Sequence, residues 1–281
     1  MRHGSACGRV AACTAIALLS FASVAEAQTS FRPPRSISSR VTHDAFRTRT
    51  AVRNLALLPA EAAPQPSWLA QLSFGYSDDG DSIKSVTPAA ELELDVGAST
   101  FLLDWDLYDR VHSDGETKEG TGDPSLTALH KLDLDKLNWV IGGAGVTVPS
   151  GSELRSSHAT QSLAAIYGHD LKNDRLVADW LKDGWTELWV TSDHQKQSDG
   201  HASPWTWTGK AYYYHRIDGS DGKDVFAVLT YSYQRDGGHA TSVGMGTEFP
   251  VKDVSVSIAG TCALNAPQSC GTIELSFRWK L

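Results

Sequence analysis

The chain has 281 residues, with 25 Lys+Arg against 33 Asp+Glu and a formal net charge of −8. That acid excess excludes the basic footprint of a nucleic-acid binder, so no nucleic-acid partner is expected. Past the N-terminus no apolar run approaches the roughly 20 residues of a membrane helix, and a membrane-spanning form must therefore be a closed barrel, which also satisfies every backbone polar group in lipid.

Residues 1–27 read as a cleavable export signal. Arg2 and Arg9 form its positive region, Val10 to Val24 its apolar stretch, and Ala25-Glu26-Ala27 its small-residue cleavage site. No cysteine follows that site, so a lipid anchor is not indicated. Cys7 and Cys13 leave with the signal, and Cys262 and Cys270 remain in a chain addressed to an oxidising compartment. A single disulfide is the expectation, and an isolated pair lacks the clustering of a zinc site.

Residues 28–66 form an arm rich in Pro, Ser and Arg. It carries Arg32, Arg35, Arg40, Arg47, Arg49 and Arg53 but only two carboxylates, Asp44 and Glu61. The composition is that of a tail or plug, with one short helix expected within Thr42 to Leu58.

From Trp68 the pattern turns to period two, in segments separated by Gly, Asp and Ser clusters. The first segment places Trp68, Ala70, Leu72, Phe74 and Tyr76 on one face. The second sets Leu92, Leu94 and Val96 against Glu91, Glu93 and Asp95. The third sets Phe101, Leu103, Trp105 and Leu107 against Asp104, Asp106, Tyr108 and Arg110. Val225 to Tyr233 and Val254 to Ile258 repeat the alternation, whereas Trp185 to Thr191 carries large residues on both faces. The last segment alternates most strictly. Ile273, Leu275, Phe277, Trp279 and Leu281 oppose Thr272, Glu274, Ser276, Arg278 and Lys280 up to the chain end. That stripe resembles the C-terminal targeting strand of outer-membrane barrels, which implies the barrel-assembly machinery and outer-membrane lipids as partners.

The spacing predicts an all-β, transmembrane antiparallel β-barrel of about twelve strands over residues 67–281. The strands fall near 68–76, 83–97, 100–111, 124–132, 138–148, 161–171, 185–194, 204–216, 224–235, 240–250, 254–262 and 271–281. An even count lets both termini face the periplasm, with His112 to Asp123 among the longer outer loops. Trp68, Phe101, Trp139, Trp185, Phe249 and Trp279 then mark the periplasmic girdle, and Tyr76, Trp205 and Tyr233 the outer one.

Two motifs stand out. One is Gly120-Thr121-Gly122-Asp123 before the fourth segment; the other is Gly142-Gly143-Ala144-Gly145 running into Pro149-Ser150-Gly151. Together they resemble the outer-membrane transporters of the meta-pathway of phenol degradation family, in which a G-x-G-D opening precedes a strand and a Gly-rich strand ending in P-x-G follows. The likeness extends over most of Trp68 to Leu281 and leaves the arm uncovered. It implies a barrel that moves small organic solutes, with no catalytic residue and no cofactor to carry over. Taken by themselves, Gly120, Gly122, Asp123, Pro149 and Gly151 fit structural turns.

The inward series bears on function. Glu91, Glu93, Asp95, Asp104 and Asp106 form an acidic wall, with Glu274 on the same side of its own strand as Arg278. Arg110, Lys210, Arg216 and Arg278, with Tyr212 and Tyr214, complete the expected lumen lining. Opposed acidic and basic walls would create a transverse field across a pore. Mutual pairing of these charges inside a wet lumen is the plainer alternative. Two other functions compete with a channel: an outer-membrane lipid hydrolase, for which Ser157 with His158 or His239 with Ser242 would have to meet, and a structural barrel without transport. His112, His158, His194, His201 and His239 fall in expected outer loops without recurring ligand spacing, so no metal site is expected.

Overall fold

The computed structural model describes residues 66–78, 84–113, 116–150, 159–172, 174, 177–195, 205–217, 223–234, 238–264 and 271–281. The signal, the arm, the helix expected within 42–58 and Cys270 lie outside these. The predicted disulfide therefore falls outside the described residues, although Cys262 itself is exposed near the end of its strand.

The fold is a closed, twelve-stranded antiparallel barrel. Its segments are β1 (Ser67–Asp78), β2 (Lys84–Val96), β3 (Ser99–Asp106), β4 (Asp109–Ser113), β5 (Glu116–Gly120), β6 (Ser125–Asp133) and β7 (Asn138–Thr147). They are followed by β8 (Thr160–Asp170), β9 (Gly184–Gln195), β10 (Thr206–Arg216), β11 (Asp224–Gln234), β12 (Gly238–Val251), β13 (Val254–Ala263) and β14 (Gly271–Lys280). Around the ring the order is β1, β2, β3, then β6 through β14, and β14 pairs back onto β1. Leu69↔Lys280 through Asp78↔Gly271 form that seam, and the amide of Leu281 donates to the carbonyl of Trp68 at 2.9 Å. Closure leaves the ring without an unpaired edge, the condition for placing strands in lipid.

Period two decides the faces. Gln71, Ser73 and Ser77 on β1, Thr87 to Asp95 at odd positions on β2, and Thr272 to Arg278 at even positions on β14 are buried inside, while Trp68, Phe74, Leu103, Leu126, Leu163, Ile258 and Ile273 are exposed outside. The outward residues are apolar because they meet lipid tails; the inward ones are polar because they meet a confined lumen. The start of β1, the end of β14 and the tightest turns share one end. Gly97 at φ 61° begins the turn between β2 and β3, and Lys252 at φ 56° stands in the turn between β12 and β13. Gly97 has open space around it, so the left-handed backbone, not crowding, is what requires glycine there.

Two expectations are corrected. His112 to Asp123 is largely a β-hairpin, not a loop: β4 and β5 pair from Asp109↔Gly120 to Ser113↔Glu116 and extend the wall beyond the ring. Arg110 does not line the lumen. Between Ala89↔Asp106 and Val86↔Arg110, β2 has two residues where the opposite chain has three. This one-residue β-bulge sits at Pro88, which has no N–H for the ladder and whose carbonyl accepts from Leu107 N at 3.0 Å. The bulge inverts the parity. Asp109 turns inward and takes a hydrogen bond from the Thr87 hydroxyl at 2.9 Å, while Arg110 turns outward beside Val86 and pairs with Glu119, Nε to Oε1 at 3.3 Å.

The predicted periplasmic girdle also needs correction at two positions. Trp68 and Phe101 are exposed on the outer face, but Trp139 and Trp185 stand at the right level on the inner face and are buried there. Trp180, exposed in the 3-10 turn Asp179–Leu181 of the β8–β9 connection, adds an aromatic at the same end.

Candidate functional site

The inner face has two unlike walls. On the first, Glu91, Glu93 and Asp95 descend β2 at successive inward positions, with Asp104 directly opposite Glu91 on β3. Asp106 occupies the next inward position on β3, opposite Ala89. Thr100 donates its hydroxyl to Asp95 Oδ1 at 2.6 Å. Glu274 is buried on β14, and Arg278, one inward position from Ser276, reaches across β1 to form a buried ion pair with Glu93. Arg278 thus belongs to the acidic wall instead of facing it, because β14 and β2 are separated by only one strand.

The second wall is aromatic. On β9 and β10 the inward positions are Trp185, Glu187 and Trp189 paired with Tyr214, Tyr212 and Lys210. Trp185 stacks on Tyr214 with centroids 4.5 Å apart and planes 5° from parallel, and Tyr212, Tyr214 and Phe226 of β11 form a mutually packed triangle of rings with centroids 5.5–6.5 Å apart. Lys210 Nζ stands 5.5 Å from the centroid of Trp189, and the Arg216 guanidinium 4.7 Å from that of Trp185, both within cation–π range. Arg216 is also held by Asp170 at 3.3 Å. Five strands separate β2 from β10 in either direction around the ring. The aromatic wall, with Lys210 and Arg216, therefore stands diametrically across from the acidic one.

Glu187, absent from the sequence-based list, organises the second wall. It is fully buried, and its carboxylate accepts Trp185 Nε1 at 3.1 Å, Trp189 Nε1 at 2.9 Å and the Tyr214 hydroxyl at 3.4 Å. A lone carboxylate with tryptophans two residues to either side is the signal that could have found it, since all three share a face at period two.

Inward glycines set how these rings lie. A Cβ on Gly168 would fall 2.0 Å from the Trp139 ring, one on Gly246 2.4 Å from Phe226, and one on Gly143 2.4 Å from Leu129. Each large side chain is thus folded flat over a neighbour without a side chain, along the wall. Gly143 of the Gly-rich motif is such a seat, whereas Gly142 faces outward into open space.

The two family-like motifs meet at the rim. Asp123 Oδ1 accepts the Ser150 amide at 2.7 Å, and Ser150 donates its hydroxyl to the Thr121 carbonyl at 3.2 Å. Gly122 donates to the Asp106 carbonyl at 2.8 Å, and a Cβ there would collide with Asp106 at 2.2 Å. Gly120 pairs with Asp109, and Pro149 follows the end of β7. Gly151 lies outside the described residues. These contacts splice a bulged strand pair.

The hydrolase pair fails on geometry. Ser242 is inward and buried, whereas His239, an odd number of residues away on β12, is outward with its ring against Tyr231. Ser157 and His158 lie outside the described residues. Of the loop histidines, His112 bonds Thr117 on the hairpin and His194 packs on Trp205. Among the described residues no group of three or more His, Cys, Asp or Glu is placed to hold a metal ion.

Comparison with protein-family models finds no match, and comparison with curated proteins finds none. Among solved structures the chain is similar to an outer-membrane channel from Pseudomonas putida F1, with TM-score 0.57 and 14% identity over 80% of this chain and 100% of that one. It is similar to NanC porin, TM-score 0.54 and 11% identity over 75% and 100% of the two chains. It is also similar to the translocator domain of the autotransporter NalP from Neisseria meningitidis, TM-score 0.52 and 11% identity over 88% and 98%. The shared property is the outer-membrane barrel fold.

Proposed function

We propose that this chain is an outer-membrane channel for small organic solutes, aromatic or hydrophobic ones among them, with both termini at the periplasmic end. The observation that carries this reading is the pair of facing lumen walls: buried carboxylates on β2 and β3, and packed rings on β9 to β11 flanked by Lys210 at one end and Arg216 at the other. A field between them orients a polar solute, while the ring faces supply contact area to a flat apolar one. The contact between the G-x-G-D and Pro149-Ser150 segments is in keeping with the resemblance to transporters of the meta-pathway of phenol degradation family. Outward leucines and aromatics suit contact with outer-membrane lipids, and β14 suits delivery by the barrel-assembly machinery. In planar bilayers the refolded mature chain should conduct, with a cation preference that falls in the triple variant Glu91→Gln, Glu93→Gln, Asp95→Asn. Absence of current from folded protein would leave a structural barrel as the surviving reading.

A further inference from the structure

We propose that the acidic wall is a binding site for guanidinium groups, and that its occupant is the chain's own arm, residues 31–58, lodged in the lumen as a tethered plug. This goes beyond the channel reading: it shares the acidic wall with that reading and adds the buried Glu93 oxygen and the composition of the arm. The inner face is lopsided in charge: Glu91, Glu93, Asp95, Asp104, Glu187 and Glu274 are set against Lys131, Lys210, Arg216 and Arg278. Glu93 is 1% exposed. Its Oε2 is taken by Arg278, while its Oε1 is buried with no hydrogen-bond partner among the described residues. A buried carboxylate oxygen without a donor costs enough that a donor is the expected neighbour.

The arm is placed to supply one. It joins the barrel at Ser67, the first residue of β1, which lies directly opposite Asp95 and donates its hydroxyl to that carboxylate at 3.5 Å. The arm therefore leaves the wall at the foot of the acidic face. From Arg53 to Ser67 an extended chain reaches up to about 45 Å, more than the roughly 25 Å height of a barrel's apolar band. The arm contains no lysine: its fixed positive charges are all arginine, six of them, against two carboxylates. Arginine's planar fork matches carboxylates two bonds at a time and is weakly hydrated, which suits a confined site better than ammonium does.

The test uses the full mature chain in outer-membrane vesicles, with the photo-crosslinker p-benzoylphenylalanine in place of Phe46. After irradiation and digestion, mass spectrometry should map intrachain adducts to the inward positions of β2, β3 and β14. Replacing the six arginines by glutamine, or raising salt from about 0.05 M to about 1 M, should reduce those adducts roughly tenfold, because the attraction is screened. Adducts confined to the turns at the terminal end, no intrachain adduct, or adducts indifferent to both arginine and salt would overturn the proposal. A lumen taken instead by a cationic solute would give the same empty map. Conductance is read separately. Deleting residues 28–60 should raise single-channel current about threefold or more by widening the pore, and a barrel silent with and without the arm would remove the channel reading while the adduct map still decides the arm.

Discussion

Leu103 and Asp104 are sequence neighbours on opposite faces of β3, and one substitution at each reports the register of the whole wall. Leu103 is exposed on the outer face between Leu92 of β2 and Leu126 of β6. Arginine at such a position places a charge in the apolar band at a cost of roughly 2–4 kcal/mol, a 30- to 900-fold shift in the folding equilibrium. Asp104 faces inward directly opposite Glu91. There Asp104→Arg turns a like-charge cross-strand pair into an opposite-charge one, worth about 0.2–1 kcal/mol in the stabilising direction. The two variants thus differ in sign. Urea titration of barrel refolded into lipid vesicles, followed by heat-modifiable gel mobility, should give a midpoint well below wild type for Leu103→Arg and at or above it for Asp104→Arg. Equal losses from both would refute the assigned faces.

Gly168→Leu should destabilise by about 1–3 kcal/mol and lower any pore current, since the new side chain drives the Trp139 ring off the wall; an unchanged urea midpoint would contradict the seat. Glu187→Leu removes the acceptor for two indole N–H groups, so a loss of about 2–4 kcal/mol and a weakened near-ultraviolet circular dichroism signal from the stacked rings are expected. Arg278→Leu leaves Glu93 buried and should cost about 3–5 kcal/mol, with most of it recovered when Glu93→Leu is added, a recovery read by a double-mutant cycle. Asp135, in the turn between β6 and β7, accepts the Leu137 amide at 2.8 Å and also the Asn138 amide, bonds that hold its carboxyl below the usual carboxylate range. A depressed carboxyl adds its stabilisation above the unfolded value of about 3.9 and loses it as pH falls through the lower folded value. NMR titration of Asp135 should therefore show a midpoint below about 3.9, and one at or above it would contradict the turn geometry.

Strand count and most faces were legible because lipid and lumen impose opposite chemistry on alternate residues. The contrast is sharpest where the lumen is charged, as in β2 and β14, and those strands read cleanly. On β9 the alternation is hidden: Trp185 and Trp189 face inward while Leu188 and Val190 face out, so both sides look apolar. Aromatic packing inside the barrel erases the polarity difference on which period two depends. Arg110 was misplaced for another reason. A bulge adds a single residue with no fixed residue signature, and every side chain after it changes face. Pro88, the nearest hint, lies on the opposite strand. The level of an aromatic along a strand was readable for Trp139 and Trp185, but its face depended on partners such as Gly168 and Tyr214, which only the pairing register brings together.

The seam joins the first strand to the last, from Leu69↔Lys280 to Asp78↔Gly271. A chain wired this way cannot close its wall from neighbouring hairpins alone. Every hairpin formed early still presents two hungry edges, and the contact that satisfies them spans nearly the whole length of the barrel sequence, the slowest kind to make. The barrel is therefore a commitment made all at once, when β1 and β14 are both in place. Loss of even that final strand would leave an adhesive sheet looking for a partner, not a slightly weakened barrel.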